Sequence, residues 1–146
     1  MDIFDDDSAR HVTRTSVLHG ADWFFWLAIL SLINTLLVYY YNLPNTPIAL
    51  GVTQWLDGTN AFGVSMSSQS LGLNIIIAGV LAMFGLLARR GSDLAFVVGI
   101  FLYVLDAFLI VGQREFWGFG IHLIGLFFLV KGLLASRHIR ENAVSI

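Results

Sequence analysis

Apolar residues fall along this chain in four long runs separated by short polar breaks. A helix needs about 20 mostly apolar residues to cross roughly 30 Å of hydrocarbon. Four stretches meet or approach that length: Trp23 to Tyr41, Leu71 to Ala88, Leu94 to Val111 and Phe116 to Ala135. The pattern therefore predicts an all-α polytopic membrane protein built as a four-transmembrane-helix bundle. The first run is not a cleaved leader, because an acidic stretch (Asp5, Asp6, Asp7) precedes it and no small-x-small site follows.

The breaks have the chemistry of helix ends. Asp22, Asp93 and Glu115 are placed where a carboxylate suits the positive end of a helix dipole. Arg89 and Arg90 close the second run and Gly91 follows as a C-cap, with Gly112 able to end the third. Trp23, Trp26, Tyr39 to Tyr41 and Trp117 are spaced as interfacial aromatic belts. This gives three segments: a tail over 1–21, one membrane domain over 22–136 and a second tail over 137–146.

Between the first two spans, Thr46-Pro47 reads as a helix start, with Thr as N-cap and Pro at the first position. That extra helix is predicted over 47–62, lying flat at the outer surface or re-entering. Basic residues decide whether it spans. With four spans, Arg10, Arg14, Arg89, Arg90, Lys131, Arg137 and Arg140 share one side and Arg114 alone faces the other. A fifth span would change that seven-to-one split to three against five. The positive-inside rule thus favours four spans with both termini cytoplasmic, in a bacterial-type plasma membrane.

Composition agrees and removes other classes. The chain of 146 residues is 57% hydrophobic and only 12% charged, about half the usual charged fraction of about 25%. Mean hydropathy is +0.77. A formal net charge of -2 without a basic stripe excludes a nucleic-acid partner. The absence of cysteine removes disulfide, thiolate and Cys-based metal chemistry. No catalytic motif, metal-ligand spacing or cofactor motif is present, so no catalytic residue, metal or cofactor is assigned. The expected partners are the lipid bilayer and either a second copy or another membrane protein.

The candidate chemistry rests on polar residues inside the apolar runs, since an Asp at a helix centre costs about 2.5 to 3.5 kcal/mol on insertion scales. Lys131 lies near a span end and can snorkel. Asp106 and His122 lie eight residues on either side of Arg114, so a tight antiparallel hairpin brings them to one depth, about 12 Å from its turn. Gly99, Tyr103, Asp106 and Ile110 form one seam, and Gly118, His122, Gly125, Leu129 and Gly132 form the facing one. An Asp106–His122 contact follows, either an ion pair or a neutral hydrogen-bonded pair. Asn34 (on one face with Ser31), Asp57, Asn74 and Tyr103 are predicted near the same level.

Three functions fit. A non-enzymatic membrane protein would bind or translocate a small molecule, lipid or proton in an outward-facing polar cluster. A structural or assembly subunit of a larger membrane complex would use Asp106–His122 only to fix helix register. An intramembrane enzyme would use the pair as acid and base.

Overall fold

The computed structural model describes residues 3–41, 43, 46, 50–56, 68–112, 114 and 116–144, and among these it is all-α. The elements are α1 (Ile3–Tyr41), α2 (Gly51–Leu56), α3 (Ser68–Arg89), α4 (Asp93–Gly112) and α5 (Phe116–Val144). Four helices are long and apolar enough to cross a membrane: Thr13–Tyr41 within α1, Ser70–Arg89, Asp93–Gly112 and Phe116–Asn142. The chain is thus a small integral membrane protein with a four-helix bundle and one short additional helix.

The first helix begins much earlier than the hydropathy break at Asp22 suggests. Its 39 residues measure about 58 Å, nearly twice the hydrocarbon thickness. Gly20 to Tyr41 alone covers about 32 Å, so the surplus lies at the basic end. Asp22 therefore sits in mid-helix and not at an amino end. It is ion-paired with Arg89 at the end of α3, and the Arg89 guanidinium lies 4.7 Å from the centre of the Phe25 ring. The α5 helix likewise runs on to Val144 through the expected second tail.

The α3–α4 connection folds as its sequence dictates. Gly91 adopts φ 80°, a left-handed conformation that is inexpensive only without a Cβ. Its N–H donates to the Ala88 carbonyl at 2.9 Å and the Ser92 N–H donates to the Leu87 carbonyl at 3.1 Å. Those two bonds are the Schellman arrangement. Ser92 Oγ then accepts the Ala95 N–H at 3.3 Å, capping α4. Asp93 is buried at this start, where it accepts from Ser136 Oγ at 2.6 Å and pairs with Arg140. Arg114 makes the α4–α5 turn with φ 63°.

Small residues set the helix spacing. A Cβ on Gly20 would lie 2.6 Å from Gly132 Cα, and one on Gly132 would lie 2.8 Å from Gly20 Cα. Backbone meets backbone there, so α1 and α5 cross at a glycine pair. In the core, Phe24 packs against Phe84 and Phe96. Both predicted seams are buried along their whole length, Gly99 to Ile110 on α4 and Gly118 to Gly132 on α5.

Candidate functional site

The α4–α5 hairpin brings Asp106 and His122 together, with His122 Nε2 2.8 Å from Asp106 Oδ2. Both are buried, at 6% and 1% exposure. The other ring nitrogen settles much of the chemistry. Nδ1 lies 2.8 Å from the Gly118 carbonyl, which only accepts, so Nδ1 carries a hydrogen. One further proton lies between Nε2 and Oδ2. Asp106 also accepts the Gly51 N–H on Oδ2 and the Val52 N–H on Oδ1, each at 2.8 Å. Two backbone N–H groups and the imidazole ring thus converge on one buried carboxyl group. The arrangement is a buried Asp106–His122 hydrogen-bonded pair, with the Tyr103 ring stacked on the imidazole at 4.7 Å between centroids.

Gly51 and Val52 open α2, so Asp106 is the cap of that helix. Asp106 lies six residues from the end of α4, about 9 Å along its axis. The α2 start therefore packs about 9 Å inside that end of the bundle. Among the described residues α2 begins at Gly51, and the expected start at Pro47 lies outside them. Gly51 is required by close approach: a Cβ there would lie 2.8 Å from the Asp106 carbonyl oxygen.

The rest of the segment hangs on α1. Thr46 donates to Asn34 Oδ1 through its N–H at 2.7 Å and its hydroxyl at 2.9 Å. The Leu50 N–H donates to Ser31 Oγ at 3.3 Å. Thr53 Oγ1 donates to the Leu50 carbonyl at 2.9 Å, which leaves Ser31 as donor to Thr53 at 3.4 Å. Gln54 Nε2 donates to the Thr46 carbonyl at 3.0 Å. Irregular backbone at membrane depth is tolerated only when covered in this way, since each unmet group costs several kcal/mol.

The predicted site residues therefore separate by role. Asn34 bonds Thr46 and Asp106 bonds the start of α2, and His122 and Tyr103 back Asp106. Asn74 on α3 instead donates to Thr35 Oγ1 on α1 at 3.1 Å. Asp57 lies outside the described residues. Sequence reasoning missed Thr46 as a bonded partner and Trp23 as an inward-facing group. Trp23 Nε1 and Tyr103 Oη both face the space a Gly125 side chain would fill. The exposed Trp55 and Trp117 do not wall the site.

The cavity here differs from an outward-opening polar one. A crevice of about 320 Å³ runs between α3 and α4, with Leu50, Val52, Tyr103 and Asp106 among its lining residues. The remaining lining is aliphatic or aromatic, from Ile76 to Phe84 and from Leu102 to Leu109. Ile76, Val80, Leu102, Leu105 and Leu109 are exposed residues of the apolar spans, so the crevice opens sideways. Among the described residues no three His, Asp or Glu side chains converge as a metal site would require. These features define a small integral membrane protein whose short additional helix packs against its spans. No protein-family model matches the chain, and neither curated proteins nor solved structures gave a match.

Proposed function

We propose that the protein is a non-enzymatic membrane protein that takes an apolar chain from the bilayer into the α3–α4 crevice, beneath its re-entrant segment. The observation that carries this reading is the crevice itself: at about 320 Å³ it falls in the range of ligand pockets, about 300 to 1,000 Å³. It is apolar along about 12 Å of α3 and continuous with the lipid-facing surface. The basic end faces the cytoplasm in this reading, because seven of the eight basic residues gather there or near it. An acid–base enzyme would need a ring nitrogen free to take a proton, and both nitrogens of His122 are committed.

The test is photolabelling. An alkyl chain bearing a diazirine should mark Ile76, Val80, Leu102 or Leu105 in protein held in phosphatidylcholine nanodiscs. Leu105→Trp, which fills the crevice from its open side, should remove that labelling and spare labelling elsewhere. Uniform labelling around all four helices would refute the reading.

A second reading, a subunit of a larger membrane assembly, is favoured by one observation. Gly72 and Gly79 on α3 have open space where a Cβ would stand, and small residues spaced along a membrane helix suit close helix contact. Co-purification with a partner, or a discrete oligomer lost in Gly79→Leu, would support it.

A further inference from the structure

Resting on the crevice reading, we infer that the occupant is an anionic phospholipid, which lays one acyl chain in the crevice and sets its phosphate against Arg90.

The crevice supplies no polar partner of its own. Of its two polar lining residues, Asp106 has its carboxyl oxygens bonded to Gly51, Val52 and His122, and Tyr103 Oη is directed at Gly125. A chain can lie there, but its head has to find its contacts beyond one end. At the Gly112 end α2 stands in the way. A Cβ on Gly51 would lie 2.8 Å from the Asp106 carbonyl oxygen, 3.0 Å from Ile110 Cγ1 and 3.1 Å from Leu109 Cβ. The α2 helix also touches α3, and Leu50 and Val52, on either side of Gly51, belong to the crevice lining. It therefore bridges α3 and α4 at the end away from the Gly91 turn.

A continuous strip leads toward the other end. Ile76, Val80, Met83, Leu87 and Arg90 follow one another at alternating spacings of four and three residues, so they share one face of α3. The four apolar members are exposed, and so is Arg90. The Arg90 N–H still donates to the Leu86 carbonyl at 3.3 Å, which keeps this residue in the helical register. Ile76 and Val80 line the crevice, and Arg90 stands about 15 Å along the axis from Val80. One leaflet holds about 15 Å of hydrocarbon, half the bilayer core. A chain whose head is at Arg90 thus ends in the crevice.

Charge selects the head. The two carboxylates beside this turn are engaged, Asp22 by Arg89 and Asp93 by Arg140. No carboxylate among the described residues pairs with Arg90, so it remains an exposed, uncompensated cation. A head with net negative charge complements it. A zwitterionic head carries its own cation beside the phosphate and gains less.

The experiment uses phosphatidylglycerol and phosphatidylcholine probes with a diazirine either at the end of one chain or near its ester. Full-length protein in phosphatidylcholine nanodiscs is labelled with each, and sites on α3 and α4 are quantified by peptide mass spectrometry. The chain-end probe is expected to mark Ile76 or Leu105, and the near-ester probe Met83 or Leu87. Phosphatidylglycerol is expected to label about fivefold better than phosphatidylcholine, the effect of one basic residue beside an anionic lipid. Arg90→Gln, at an exposed position, should abolish that preference while the chain-end probe still marks the crevice. Equal labelling by the two lipids, or a preference unchanged in Arg90→Gln, overturns the head-group inference and leaves the crevice reading standing. The reverse order of labelling along α3 overturns it too, since the lipid would then enter from the Gly112 end. Failure of every probe to mark the crevice defeats the crevice reading itself.

Discussion

His122 places its Nδ1–H on the Gly118 carbonyl of its own helix, one turn back, and in doing so fixes what Nε2 must present to Asp106. A ring anchored in this way is held in one orientation against the Asp106 carboxyl group.

Breaking the pair from one side leaves a buried polar group without its partner. His122→Ala and Asp106→Ala should each cost about 3 to 5 kcal/mol of stability. The double variant should cost clearly less than their sum, because the two residues act as one unit. Denaturant titration in mixed micelles measures all three. Strict additivity would show that the contact carries no coupling.

Gly51 faces the α4 backbone, which cannot step aside as a side-chain tip can. Gly51→Ala should destabilise the fold by about 1 to 3 kcal/mol, despite the gain in helix propensity. Gly79, with open space around it, gives the contrast: Gly79→Ala should be neutral, or stabilising by about 0.5 to 1 kcal/mol. Parallel thermal melts decide, and equal effects at the two positions would undo the packing argument.

Orientation is tested separately. The chain lacks cysteine, so single cysteines report without background. One at Gly91 should react only with a reagent on the cytoplasmic side and one at Gln69 only from outside. The reverse pair would refute the assignment drawn from the basic residues.

Much of the fold was legible because membrane spans are set by length and apolarity alone. Gly91 and Gly112 marked helix ends that the structure places at the same residues. Asp106 and His122 could be paired from sequence because a tight hairpin fixes depth from the turn at Arg114. Asp22 misled for a physical reason: an acidic residue beside an apolar run looks like a helix start, yet here Arg89 neutralises it inside a continuous helix. The role of Asn34 was not legible. A polar side chain at membrane depth signals that something must be satisfied, but its partner here is the backbone of Thr46, and backbone groups leave no mark in a sequence. The same holds for Asp106, whose two amide donors at the start of α2 were invisible beside the more conspicuous histidine.

The central claim is that Asp106 holds the start of α2 at membrane depth. A spin label at Trp55→Cys, an exposed position of α2, reports that depth through its relative accessibility to oxygen and to a water-soluble nickel complex. With Asp106 present, the label should be accessible to oxygen and shielded from nickel. In the Asp106→Ala background it should move toward the aqueous side while labels on α3 and α4 keep their depth. An unchanged profile at position 55 in that background would contradict the account.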